Sequence, residues 1–226
     1  MRLSAAIVLS LAMAGLGAMS SPSTTFAAAR ASNTPVFAGA DSLDDGVLRL
    51  ALNAAACART SGAVKNERLL TVIDYSKAST EPRLWVLDLE RERVLFEELV
   101  AHGRGSGDNF ATRFSNADGS HQTSLGLFRT ADTYVGANGY SLRLDGLEQG
   151  VNDRARDRAI VMHGAPYVSE ANIRTVGRLG RSHGCPALRP TIARTVIDTI
   201  KQGSLVFAYY PDQQWLKGSR FLNGCS

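Results

Sequence analysis

The sequence predicts a mainly β domain with a few helices, built as a sandwich or barrel. Three observations carry that prediction. Short apolar runs of strand length recur between Leu69 and Tyr210, rich in Val, Ile, Leu and aromatic residues. Clusters of Gly, Asn and Asp punctuate them as turns. Helical spacing is sustained at only two places, one ahead of the strands and one near their end, so the regular strand–helix alternation of a parallel α/β sheet is missing.

Taken in order, the first 29 residues have the layout of a secretory signal peptide: a positive start at Arg2, an apolar run over residues 3–19, and a small-residue site at Ala27-Ala28-Ala29. A retained anchor is the alternative, but the run is short and rich in Ala and Gly for a bilayer span. Residues 30–41 read as a flexible lead-in and residues 42–226 as one folded domain. Its first element is a helix entered at Ser42, with Asp44 and Asp45 in the first turn. Val47, Leu50, Ala51, Ala54 and Ala58 lie on one face, and Gly62 is the stop. Strands follow at residues 69–75, 83–89 and 94–100, the last two joined by a polar turn at residues 90–93. Residues 102–124 form a long polar stretch, with Phe110 and Phe114 as its expected anchors; a loop of that length in a compact domain is usually functional or disordered. Further strands are expected at residues 124–130, 140–144 and 158–163, with a short helix within 167–179. Pro190 opens a helix whose apolar positions are Ile192, Val196, Ile197 and Ile200, and residues 204–210 are the last strand. The tail is polar, anchored by Trp215 and Phe221.

The net charge is +4, or +3 without Arg2 of the leader. Basic residues are scattered and not interleaved with aromatics, which argues against a nucleic-acid interface. A slightly basic exported protein would favour peripheral association with an anionic wall. Of three cysteines, an odd count in an exported chain leaves one thiol over. A Cys57–Cys225 bridge would tie down the tail and leave Cys185 free; the other reading is that Cys57 is a small buried apolar residue.

The chemistry concentrates between Arg178 and Arg189, where Ser182-His183-Gly184-Cys185 is followed by Pro186. A thiol attacks as thiolate and a nearby imidazole can take its proton. Glycine before it lets the backbone turn tightly and aim N–H groups at a developing oxyanion. His163, at the end of the apolar run 158–163 and followed by Gly164, is the candidate base. His183 lies on the same side as Cys185 in an extended chain and is the second candidate, through its ring or its backbone. Arg181 and Arg189 bracket the turn and could fork onto a substrate carboxylate. His102 and His121 read as loop residues. The spacing of His163, His183 and Cys185 matches no common zinc pattern and lacks a fourth ligand, so no metal or cofactor is expected.

His163-Gly164 followed by Ser182-His183-Gly184-Cys185 resembles the signature of the YkuD-type L,D-transpeptidases, in particular the murein L,D-transpeptidase catalytic domain family. Val100-Ala101-His102-Gly103, Phe114-Ser115-Asn116, Tyr140-Ser141-Leu142-Arg143-Leu144 and Gly180-Arg181-Ser182 extend the resemblance. It implies a β-sandwich-like catalytic domain with an N-terminal helix. It also implies Cys185 as nucleophile, His163 as base oriented by the Gly164 carbonyl, and oxyanion donors around Ser182, His183 and Gly184. Arg181, Arg189 and Tyr140 are the substrate-binding candidates. The implied reaction joins a peptidoglycan tetrapeptide donor to a stem-peptide acceptor in the cell envelope or periplasm through a Cys185 thioester. A carboxypeptidase giving that thioester to water and a non-catalytic wall-binding protein are the alternatives. The chain departs from the family pattern at Ala187, where many members carry Asn or Arg, and in a longer interval between His163 and Cys185.

Overall fold

The computed structural model describes residues 35–225; the expected leader and the start of the lead-in lie outside the described residues. Helix α1, Asp45–Thr60, is capped by Asp44, whose carboxylate accepts from the N–H groups of Gly46 and Val47. The sequence reading placed the helix entry at Ser42. That hydroxyl is instead occupied by the sheet, accepting from Trp85 Nε1 and donating to Glu97. Val47, Leu48, Ala51, Ala54, Ala55 and Ala58 form its buried face. Small residues there let the helix sit close to the sheet.

Eight strands follow: β1 Leu69–Asp74, β2 Leu84–Asp88, β3 Arg93–Glu98, β4 Gly126–Gly136, β5 Gly139–Gly146, β6 Val161–Gly164, β7 Ala187–Leu188 and β8 Leu205–Tyr209. They form one sheet in the order β3-β2-β1-β8-β4-β5-β6-β7. The β1–β8 and β6–β7 pairs are parallel and the rest antiparallel. Three residues beyond β3, Ala101 exchanges main-chain hydrogen bonds with Ala187 of β7. The two edges of the sheet thereby meet and the architecture becomes barrel-like, a closure that removes exposed strand edges. Helix α2 (Glu170–Val176) is capped by Ser169, and α3 (Pro190–Ile200) carries proline at its start, where the missing N–H costs nothing. Helix α3 lies against β6, and α1 against β1 and β8. Every residue of β1 and β2 is buried, because both faces of these strands are covered.

The tail is more ordered than its composition suggests. Helices α4 (Gln213–Gly218) and α5 (Arg220–Asn223) bury Trp215 and Phe221, the two expected anchors. Cys57 and Cys225 form a disulfide with Cα atoms 5.2 Å apart, and Cys185 is free. Of the two anchors expected in the polar loop, Phe114 packs against Tyr210 in a tilted pair with ring centroids 4.7 Å apart, whereas Phe110 is 54% exposed. The loop is held by other means, described next.

Candidate active site

Strand β6 ends in His163-Gly164, and its parallel neighbour β7 begins two residues after Cys185, with His163 opposite Ala187. Continuing that register brings Cys185 level with Val161, and Val161 N–H indeed donates to Cys185 Sγ at 3.5 Å. The thiol in turn donates to the carbonyl of Ala159 at 3.7 Å. Both partners are main-chain groups, so Sγ is not bonded to the His163 ring in this state. Alternation along parallel strands puts Val161 with His163, and Cys185 with Ala187, on matching faces. Thiol and imidazole therefore face the same pocket.

The turn entering β7 is fixed by a small polar network. Ser182 Oγ donates to the carbonyl of Cys185 at 2.6 Å and accepts from Gly184 N–H at 3.1 Å. Thr123 Oγ1 donates to the Gly184 carbonyl at 3.2 Å and accepts from Gly103 N–H at 2.9 Å, tying the turn to the long loop. Gly184 has φ +124°, and a Cβ there would fall 2.9 Å from the Gln122 carbonyl oxygen, so both conformation and space demand glycine. With Gly184 N–H committed to Ser182, the N–H groups of His183 and Cys185 donate to no other residue among the described ones, that of Cys185 facing its own sulfur. These two are the free donors of the turn.

His163 is 4% exposed and its Nδ1 lies 3.0 Å from the Gly164 carbonyl. That contact requires the proton on Nδ1 and leaves Nε2 as an acceptor. Burial pushes the imidazole below its ordinary range, opposed by the bond to Gly164. Burial pushes the Cys185 thiol up, opposed by Val161 N–H and the charge of Arg158. Both groups are therefore neutral near pH 7, a thiol beside an imidazole rather than a preformed ion pair.

The pocket they share has a volume of about 200 Å³ and is lined by Asn138, His163, Tyr167, Arg181, Ser182, His183 and Cys185. Two larger depressions, of about 530 and 450 Å³, contain neither group. A Cβ on Gly164 would lie 3.1 Å from Ala193 Cβ and 3.3 Å from Pro190 Cα, so a side chain there would have to push helix α3 back by a few tenths of an ångström. The ring of His183 is exposed and stacks on His121 at 4.4 Å. Arg181 lines the pocket, held by the Gly107 carbonyl at 2.9 Å and Asp108 at 2.7 Å. Arg189 and Tyr140 are not brought there. The guanidinium of Arg189 forks onto the buried carboxylate of Glu98, and the Tyr140 hydroxyl donates to Asp198 at 2.6 Å.

Sequence reasoning missed Asn138 and Tyr167 in the lining. Asn138 had a signal, the Asn-Gly pair of the β4–β5 hairpin, but it reads as a turn alone. His102 was also missed as a buried residue. It is fully buried, accepts from Arg83 Nη2 at 2.8 Å and donates toward the Gly107 carbonyl at 3.4 Å. The His102 carbonyl accepts from Ser182 N–H at 3.0 Å, so this histidine braces the start of the turn.

A thiol and a neutral imidazole around one pocket, with unpaired N–H groups in a glycine turn beside them, is the constellation that thiol-dependent acyl transfer requires. Residues 40–209, well over half of the chain, match the L,D-transpeptidase catalytic domain family, and the chain belongs to that family. Similar solved structures include two L,D-transpeptidases and a cell-shape determining protein. One from Mycobacterium smegmatis is 17% identical, with 63% of this chain and 59% of that one covered and a TM-score of 0.38. L,D-transpeptidase 1 of Mycobacterium tuberculosis is 16% identical, with 63% and 62% covered and a TM-score of 0.36. The helical cell shape determining protein Pgp2 of Campylobacter jejuni is 14% identical, with 64% and 48% covered and a TM-score of 0.44. The chain thus spans less than two thirds of the length of each. No protein among curated sequences matches it. Among the described residues no helix is long and apolar enough to cross a membrane.

Proposed function

We propose that this chain is an exported L,D-transpeptidase that acts on peptidoglycan stem peptides through a thioester on Cys185. The observation that supports this best is the meeting of Cys185 and His163 in one pocket, with His163 Nε2 left free to accept a proton by the Nδ1 contact with Gly164. Nε2 takes the thiol proton as Sγ attacks the carbonyl after the third residue of a donor tetrapeptide. The N–H groups of His183 and Cys185 receive the oxyanion. Collapse of that intermediate breaks the amide bond, and the imidazolium returns its proton to the departing D-alanine amine. The amine of an acceptor stem then attacks the thioester, His163 takes a proton from it, and Sγ leaves and is reprotonated. Because both groups start neutral, proton transfer and attack are coupled. The rate therefore falls on the acid side as His163 becomes protonated. Arg181, at the pocket wall, is placed to meet a donor carboxylate only by releasing Asp108, which is exposed and gives a surface pairing of small worth.

The test is incubation of the purified protein with stem tetrapeptides, followed by mass analysis. A crosslinked dimer with loss of D-alanine is the expected product; tripeptide alone would assign the carboxypeptidase reaction. A covalent carbapenem adduct should map to Cys185 and vanish in Cys185→Ala. His163→Ala should keep the fold and lose turnover. Unchanged activity in Cys185→Ala would refute the mechanism.

A further inference from the structure

Arg158 stands next to the thiol and takes part in no step of the mechanism above. Its half-buried guanidinium donates to the Ser115 carbonyl at 2.7 Å, Ser124 Oγ at 2.6 Å, Ser120 Oγ at 3.2 Å and the Gln122 carbonyl at 2.7 Å. All four acceptors are neutral, and among the described residues Arg158 makes no ion pair. Arg189 is the opposite case, neutralised by Glu98. The guanidinium also backs directly onto the turn: a Cβ on Gly184 would lie 3.5 Å from Arg158 Nη2. The next residue, Ala159, has φ +53°, an uncommon conformation for a residue with a side chain, and its carbonyl is the acceptor for Cys185 Sγ. Four consecutive residues, Arg158 to Val161, thus set a positive charge, an acceptor and a donor around one sulfur.

We infer that Arg158 is a positioning residue for the chemistry of Cys185, its guanidinium, bonded to no carboxylate, placing positive potential behind the 182–185 turn while pinning residues 115–124 against it. This rests on the reading of Cys185 as nucleophile. The charge favours the thiolate and the oxyanion that replaces it, the two anions of the reaction. The carbonyls and hydroxyls that hold the guanidinium fix that potential without cancelling it. Coupling between the two groups runs both ways: the Arg158 charge pulls the thiol down against burial, and the thiolate pulls the guanidinium up against burial. The other groups that face this centre are Asp118 on the loop, Arg154 on the same turn as Arg158, and Tyr75 and Tyr167 near the sulfur. His163, Arg181 and His183 line the pocket. Asp118 is the single carboxylate among them; it sits on the exposed loop, forms no ion pair with Arg158, and offsets part of the guanidinium's charge when ionic strength is low.

The experiment follows alkylation of Cys185 by iodoacetamide across pH at low ionic strength, by intact mass, on protein with the Cys57–Cys225 bridge intact. Arg158→Gln keeps donors but loses the charge; its alkylation midpoint should rise by about 1 pH unit, a roughly tenfold loss of thiolate near neutrality. Arg158→Lys should keep the wild-type midpoint while losing part of the acyl-transfer rate, because lysine cannot span four acceptors. Asp118→Asn, at an exposed loop position, should lower the midpoint by unmasking the guanidinium. Equal midpoints in wild type and Arg158→Gln overturn the inference, and where Arg158→Gln does not fold, an unchanged midpoint in Asp118→Asn does so. A purely structural Arg158 would slow alkylation at every pH without moving the midpoint. Alkylation needs no acyl donor, so a shifted midpoint in a protein that accepts no tetrapeptide would sink the functional reading and leave this one standing.

Discussion

Two ends of the same closed sheet are built on different physics. In β1 and β2 every side chain is buried, and Leu70, Trp85, Val86 and Leu87 are 0% exposed. Stability there is apolar burial, which is non-directional and spread over many contacts. At β6 and β7 the strands shrink to four residues and two. Positive φ angles cluster around them at His121, Ala159 and Gly184, and the geometry is fixed by hydroxyls and guanidinium groups bonded to main-chain atoms. Such bonds contribute little net stability each but are strict about direction. The first region should therefore tolerate changes that keep volume and fail when volume is lost. The second should lose chemistry well before it loses the fold.

The largest effect tests the apolar end. Trp85→Ala empties a fully buried site and strands Ser42, and should cost about 3–5 kcal/mol in urea unfolding. Acyl transfer per folded molecule should stay close to wild type; a specific loss of rate would break the division between the two ends. Next comes His102, where the ends meet. Burial, then the charge of Arg83, pushes its imidazole down from 6.5 to about 4. Between those values the unfolded chain binds a proton that the native state refuses, so stability is flat above pH 6.5 and falls as pH drops toward 4. The loss is at most about 3 kcal/mol. His102→Gln, able to accept from Arg83 and donate to Gly107, should lose less stability than wild type between pH 7 and pH 4.5. Equal losses would mean that other groups govern the acid limb. Gly184→Ala should cost about 1–3 kcal/mol through backbone strain and the contact with Gln122. It should also lower acylation of Cys185 by at least about a hundredfold, because the turn carries the oxyanion donors.

The same contrast governs what could be read from the sequence. The runs expected at residues 69–75, 83–89 and 204–210 correspond to β1, β2 and β8, because apolar periodicity reports burial and these strands consist of it. The helix opening at Pro190 was legible for the same reason. Strand β7 was not: Ala187-Leu188 is a strand only because β6 and Ala101 pair with it, and two residues carry no period. Cys185 and His163 stood out by chemistry and motif, and the fold brings them to one pocket. Arg189 and Tyr140 looked equally available, but a sequence does not show that Glu98 and Asp198 have already taken them. His102 and Arg158 were passed over because their roles rest on residues remote in the chain, Arg83 and Ser182 for His102 and Ser115 to Ser124 for Arg158. An arginine at the head of an apolar run gives no hint that its acceptors will be carbonyls and hydroxyls of a distant loop.

Thr123 gives the mildest and sharpest test of the division. Its hydroxyl is the single atom that joins Gly103 N–H to the Gly184 carbonyl, and it is 2% exposed. Thr123→Val keeps shape and volume and removes only those two bonds, leaving a buried donor and acceptor unpaired. The stability cost should be about 1–3 kcal/mol by urea unfolding. If directional bonds at this end mainly aim the turn, Thr123→Val should slow acylation of Cys185 while leaving its alkylation midpoint where it was, since the Arg158 charge is untouched. A variant that loses stability but acylates at the wild-type rate would show that Ser182 alone holds the turn, and that the long loop braces the fold rather than the chemistry.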